Sequence, residues 1–563
     1  MPIAEPLVIS NWKDGVADSP HEGFGMMKNA DIEAFPGAIK SQKKLLSIFL
    51  PITTRTFTAD ASDLCTASGN LSSQNYVGSV VRFTTTNTLP AGLSINTNYF
   101  LIYVSASTFK VATTLANANA GTAIDITDAG TGVHTITQLA IGTINHIVKD
   151  QRTTIWYLQD SNARVWFYDG SRAYLLNGNT LTNGSGNGLC LLRASDGAST
   201  WLFVFRNALI DVINVYGASD IETPSWTSAW QTMNTAGGSG NRHHAIVGQD
   251  NIIYYTDDRY LGSIKELTVF VPGTSATYSF NQDALDFPQG EVAVHLEELG
   301  VNLLTAGNTY NKIYPWDRIS DSFALPLDVP ENSVKRLKNI GNTVYILAGT
   351  KGNIYKTQGL DVKLFRKIPD YLTNNSGTIL SNPVTWGGIG AKSGGLLVGL
   401  DGYDGGSGVY LIYPDGRILQ DNTPTGGNLT FPFNKATAIY SEDEFYFVGY
   451  AGGADRVDAS RYSSYETVIQ TGLYRVGNKT EKASYTDLEL QMAKISANGA
   501  GHARISWRPD ISGAFTVMDG ATFTADGVAL SFNSDVGLID IENIQLQIEM
   551  DGTFELLNVI LTP

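Results

Sequence analysis

The sequence predicts an all-β fold: a β-propeller of about seven blades, a small β-domain inserted near its start, and a β-sandwich at its carboxyl end. Helical periodicity is nearly absent, whereas alternating apolar and polar residues bounded by Gly, Asn and Asp recur throughout. Strand–turn–strand units return along the chain, such as "TTIWYLQDSNARVWFYDG" from Thr153, "STWLFVFRNALIDVINVYG" from Ser199 and "NTVYILAGTKGNIYKT" from Asn342. Their markers Trp156, Phe203, Ile253, Leu303, Tyr345, Leu397 and Tyr446 lie roughly 40–50 residues apart, the spacing of propeller blades rather than of shorter, more regular solenoid repeats.

In chain order, residues 1–44 read as an arm punctuated by Gly and Pro. Trp12, Phe24 and Phe35 are its apolar anchors and its candidate contacts with a neighbouring subunit. A strand within residues 45–56, beginning "LLSIFLPIT", is expected to close the propeller from the amino-terminal side. Residues 57–138 form a Thr-, Ala- and Asn-rich block whose ends, "TFTAD" and "HTITQL", suit neighbouring antiparallel strands, the geometry an inserted domain needs. Its few large apolar residues suggest an exposed knob. The propeller is expected over residues 139–470, and alternating strands in residues 471–563 suggest a sandwich. The best helical candidate is short, "ENSVKRLKNI" from Glu331.

Composition narrows the class. Only 16% of residues are charged, against 57 Gly, 26 Tyr and 23 Phe, a balance that suits extended structure. The formal net charge of −16 argues against wrapping a phosphate backbone, so no specific nucleic-acid binding is expected. Cys65 and Cys190 are the only cysteines and read as free buried thiols. No stretch has the apolar length of a membrane span, and "MPIAEPLVIS" lacks the basic and apolar regions of a secretory signal, so the expectation is a soluble product made in a cytosol.

The motifs carry little chemistry. "GGIGAKSGG" from Gly387 superficially resembles a phosphate loop, but Trp386 and Ala391 stand where that loop needs glycines, and the strand "GLLVGL" follows in place of a helix. It reads as a Gly-rich turn between blades. His243 and His244 are adjacent and so face opposite ways on a strand, which disfavours a metal site. Asp401 and Asp404 in "DGYDGGSG" form a cation candidate, with solvated turn carboxylates the plainer reading. Adjacent acids such as Glu297 and Glu298 do not by themselves make a glycosidase pair. Trp156, Trp166 and Trp201 read as packing between blades, whereas Trp226 and Trp230 in "TPSWTSAWQT" read as a loop and a candidate exposed contact surface. No catalytic residue, cofactor or metal ligand set is assigned.

One resemblance adds to this. The stretch "NTLPAGLSINTNYFLIYVSASTFKVATTLANANAGTAIDITDAGTGVHTIT" resembles a small β-module that recurs in virion and tail-associated proteins of tailed bacteriophages, most specifically from Ser107 to Gly132. The arm "WKDGVADSPHEGFGMMKNADIEAFPGAIK" is similar to the start of phage structural proteins with a propeller-like body, as is "TGLYRVGNKTEKASYTDLELQMAKI" near the carboxyl end. These resemblances imply a virion component assembled in the host bacterial cytoplasm and located in the tail. The expected function is that of a non-enzymatic ring subunit of a tail nozzle or tail tip, with other tail proteins as partners. The alternatives are a receptor-binding or fibre-like protein that recognises host surface glycan, and a propeller glycan hydrolase.

Overall fold

A computed structural model describes residues 6–9, 24–28, 30–31, 40–176, 186–216, 225–234, 243–349, 353–368, 374–375, 378–379, 384–400, 408–422, 436–442, 445–461, 467–476, 482–494, 501–510, 513–525, 530–551 and 555–563. Seven antiparallel four-stranded units follow one another. Blades 1 to 7 begin with the innermost strands Ile144–Lys149, Gly186–Arg193, Ala245–Val247, Ala293–Leu299, Val334–Ile340, Val384–Lys392 and Ala438–Glu442. These strands pack against one another in cyclic order, blade 7 against blade 1, so the units form a closed seven-bladed propeller.

The ring is closed by the amino-terminal strand Lys43–Ser47, the outermost strand of blade 7, with Leu45 opposite Val457 and Ser47 opposite Asp455. This strand ends earlier than the run "LLSIFLPIT" suggests. Pro51 has no N–H for a ladder, and Phe49 turns aside to pack edge-on against Trp166 of blade 1 at 5.3 Å. Since Lys43–Ser47 already fills the fourth position of blade 7, the chain leaves the propeller after Arg461. The next strand, Thr467–Thr471, pairs with Asn543–Asp551 in the carboxyl-terminal domain, so the propeller stops short of residue 470.

Residues 331–340, the sequence's best helix, contain the innermost strand of blade 5. A β-bulge between Val334 and Arg336 inserts one residue into the ladder, which puts the buried pair Val334 and Leu337 on one face despite their helical i, i+3 spacing. Register shifts recur at the same place in blades 1, 2 and 4.

The inserted block is a closed six-stranded barrel whose end strands Arg55–Ala59 and His134–Gln138 pair antiparallel, Phe57 opposite His134. Phe57, Phe83, Leu101 and Phe109 fill its interior. It is not a bare knob. Tyr99–Tyr103 is buried on both faces: Tyr99 and Leu101 point into the barrel, while Phe100 and Ile102 join the core of blade 1 with Trp166 and Leu175. Arg172 of blade 1 donates to the carbonyls of Asn75 and Val77 across the same junction.

The barrel also gives the "LPAGL…DITDAGTG" pattern a physical reason. Thr88 bridges Thr131, and a Cβ on Gly130 would lie 2.6 Å from backbone atoms of Thr88 and Pro90. A Cβ on Gly92 would meet the Asp125 carbonyl at 2.4 Å. Asp128 clamps the junction by accepting from the amides of Ala91 and Gly130. The two halves of the motif touch backbone to backbone, which requires glycine on each side.

The carboxyl-terminal strands form two facing sheets. One runs Leu7–Ile9, Glu555–Thr562, Ala483–Lys494, Leu530–Ile541; the other runs Phe24–Lys28, Thr467–Thr471, Asn543–Asp551, Gly501–Arg508, Thr516–Ala525. The second sheet continues into blade 6, because Phe24–Lys28 also pairs in parallel with Ile418–Asn422. Accordingly Leu397 and Val448 of the propeller share a core with Leu488, Ile505 and Ile548. The described parts of the arm are therefore built into the chain's own sheets, with Ile9 and Met27 buried. Backbone strands with vacant edges draw in the nearest unpaired segment.

Candidate functional site

A cavity of about 370 Å³ lies on the propeller axis, lined by the beginnings of all seven blades. The recurring bulge sets its chemistry. It turns the residue after it toward the axis, and at that position stand His146 of blade 1, His295 of blade 4 and Arg336 of blade 5. His244 joins them from the residue before the innermost strand of blade 3.

The rings are held in a defined state. His244 Nδ1 accepts the amide hydrogen of Leu296 at 3.2 Å, and His295 Nδ1 accepts that of Leu337 at 3.3 Å. Each ring thus takes its hydrogen bond from the next blade, which links the blades around the axis. An Nδ1 that accepts leaves the proton of a neutral imidazole on Nε2. The two rings stack with centroids 3.7 Å apart, and His146 lies 6.5 Å from His244. Burial holds both His244 and His295 well below the ordinary histidine value of 6.5. Arg336, Lys338 and the neighbouring histidines push in the same direction.

Two carboxylates also line the cavity. Glu298 accepts from Arg318 at 2.5 Å and from the Gln249 amide at 3.0 Å, which fixes it between blades 3 and 4. Burial raises the Glu297 carboxyl above its usual range, and Lys338 on the next blade offsets part of that rise. The adjacent acids have different partners, Lys338 acting on Glu297 and Arg318 holding Glu298. Among the described residues, no group of three or more His, Cys, Asp or Glu side chains is arranged to hold a metal ion.

His243 faces away from the axis, as adjacency requires, and its Nδ1–H donates to the Thr256 carbonyl at 2.9 Å. The sequence signal for the site was the return of histidine just ahead of an apolar residue in "NHI", "HHA" and "VHL", one or two blade repeats apart. Because the flanking residues differ, only the ring closure reveals that the three rings converge.

The tryptophans divide. Trp156 lies between blades 1 and 7, 4.2 Å from Phe447. Trp226 and Trp230 are not in a loop: they belong to Trp226–Thr232, the outermost strand of blade 2. Trp226 is half-buried against the core of blade 1. Trp230 is only 9% exposed, ringed by Phe203, Phe270 and Tyr278, which corrects its reading as an exposed contact. The cause is a second bulge: buried Asp211 captures the Ala229 amide at 2.6 Å, Ala229 takes φ 48°, and the next side chain is turned inward. Phe24 opens a strand of the second sandwich sheet. Trp12, Phe35, Asp401 and Asp404 lie outside the described residues.

No family model matches the sequence, and comparison with curated proteins finds no match. Similar solved structures include a catalytically inactive virginiamycin B lyase from Staphylococcus aureus with quinupristin, at 12% identity and TM-score 0.40, covering 57% of this chain and 97% of that one. The WD40 β-propeller domain of Doa1 is similar at 12% identity and TM-score 0.37, covering 57% and 93%. The WD40 repeats of RRP9 are similar at 11% identity and TM-score 0.38, covering 56% and 94%. The assignment of the blades rests on the strand pairing described above.

Proposed function

We propose that this chain is a non-enzymatic structural component of a tailed-phage virion, a tail nozzle or tail-tip subunit that assembles with its copies into a ring. The observation that carries the reading is the run from Ser107 to Gly132, with its "LPAGL" partner, which resembles the module of phage tail proteins. The glycine-dependent contact between its two halves supports treating the run as a folded unit rather than a compositional accident.

On this reading the genome does not pass through a propeller. An axial cavity of about 370 Å³ has no room for a double helix, so the passage lies between subunits at the axis of the ring. The net charge of −16 suits a wall that must not hold DNA. Subunit contact is assigned to the turns of blades 4 and 5, where the large apolar side chains Val301, Ile319, Leu325 and Leu360 are exposed. The partners are other tail proteins.

Sedimentation of the full-length protein over a wide concentration range tests this. The expected result is a discrete closed oligomer that Ile319→Asp with Leu360→Asp dissociates into folded monomers. A monomer at every concentration, together with binding of the isolated protein to host cells, would overturn the ring and favour a receptor-binding role.

A further inference from the structure

The axial cavity has a polarity that its structural role does not require. Holding blades together through Nδ1 needs one acceptor per ring, which an asparagine would supply as well. The rings at His244 and His295 line the cavity and in addition carry their protons on Nε2, because their Nδ1 atoms are already committed as acceptors. Arg336 supplies a guanidinium from the next blade at the equivalent position, and its neighbour two residues on, Lys338, is also at the cavity wall. The charged side chains that act on the two rings are Arg336 and Lys338, with His146 beyond. The cavity's carboxylates are Glu297 and Glu298, and Glu298 is engaged by Arg318 and the Gln249 amide.

We infer that the axial cavity binds a small oxyanion, a carboxylate or phosphate group that accepts from Nε2–H of His244 and His295 and from the Arg336 guanidinium. Donors held in place by packing and by backbone hydrogen bonds cost little to organise when the acceptor arrives. The cavity, about 370 Å³, falls at the small end of ligand sites and admits such a group with a few waters. Two sources offer the chemistry: a free anion, or an acidic side chain of a partner segment that enters along the axis.

A second proton on either ring would sit on Nδ1 and displace the Leu296 or Leu337 amide, so the rings meet the anion as neutral donors and the positive charge comes from Arg336. The other titratable groups facing the rings are Arg336, Lys338, His146 and, farther along the same strand, Glu297.

Isothermal titration of the full-length protein at constant ionic strength tests the site, with inorganic phosphate, acetate and a short capped glutamate peptide as separate probes. Saturable one-to-one binding is expected. His244→Asn with His295→Asn keeps an acceptor for the Leu296 and Leu337 amides and removes both ring donors. This variant should stay folded and lose about tenfold or more in affinity. Arg336→Gln should weaken binding in the same direction. Binding of phosphate or acetate supports the site with a free anion as its source; binding of the peptide alone supports it with a partner side chain as the source. The inference fails if no probe saturates below about 50 mM, or if the folded histidine variant binds as the parent does.

Discussion

Asp421→Asn removes a carboxylate that is fully buried and that joins three parts of the chain. Asp421 belongs to blade 6 and accepts from Lys392 of the same blade at 2.7 Å, from Gln42 of the arm at 2.9 Å, and from Tyr446 of blade 7. Lys392 and Gln42 share Oδ1, while Asn422 beside it donates at 3.3 Å to Oδ2, the oxygen that Tyr446 also reaches. Gln42 immediately precedes the strand that closes the ring, so this carboxylate anchors the closure. Taking the charge away while Lys392 stays buried costs about 3–5 kcal/mol for a pair of this kind. Asparagine retains one acceptor oxygen, so the lower end applies, about 3 kcal/mol. Replacing Lys392 by Met in the same protein removes the stranded cation and should restore most of the loss, a coupling of about 2 kcal/mol. Urea unfolding of the parent, both single variants and the double variant measures this. Amide hydrogen exchange should also quicken in Lys43–Ser47 when Asp421 is altered. A single variant within about 0.5 kcal/mol of the parent, or unchanged exchange in the closing strand, would refute the anchoring role.

Other outcomes follow from the buried titratable groups. His244 and His295 have folded-state pKa values far below 6.5, so their contribution to stability is present above the unfolded value and is lost as pH falls below it. Each adds a slope of about 1.4 kcal/mol per pH unit while only the unfolded chain is protonated, and the His244→Asn, His295→Asn protein should show a correspondingly flatter curve below pH 6.5 in urea unfolding. Burial lowers Lys335 from 10.5 to about 8, so the parent should gain stability as pH rises from about 8 toward 10.5, and Lys335→Met should not. Burial raises the thiols of Cys65 and Cys190 to about 12; mass spectrometry after iodoacetamide at mildly alkaline pH should find neither labelled in native protein and both labelled in urea.

The sequence disclosed the all-β class, the blade spacing and the paired ends of the inserted module because each depends on alternation or on turn residues within a short window. Features made by bulges were hidden. The bulge after Val334 gave a strand the apolar spacing of a helix, and the one at Ala229 gave a strand the look of a polar loop and concealed the burial of Trp230. The axial site was hidden for a related reason. His146, His244 and His295 are far apart in sequence, and only closure of the ring by Lys43–Ser47 brings their strands to one axis. Docking of the barrel was equally indirect, since "YFLIY" reads as a buried strand without saying that its two faces serve different cores.

The proposed place in a tailed-phage virion is tested most directly by cryo-electron reconstruction of particles that incorporate this chain. The account predicts seven-bladed discs repeated around the tail axis at its lower end, each carrying a six-stranded barrel against blade 1, with the DNA passage between subunits. Discs absent from the particle, or present only as separate copies on peripheral fibres, would contradict it.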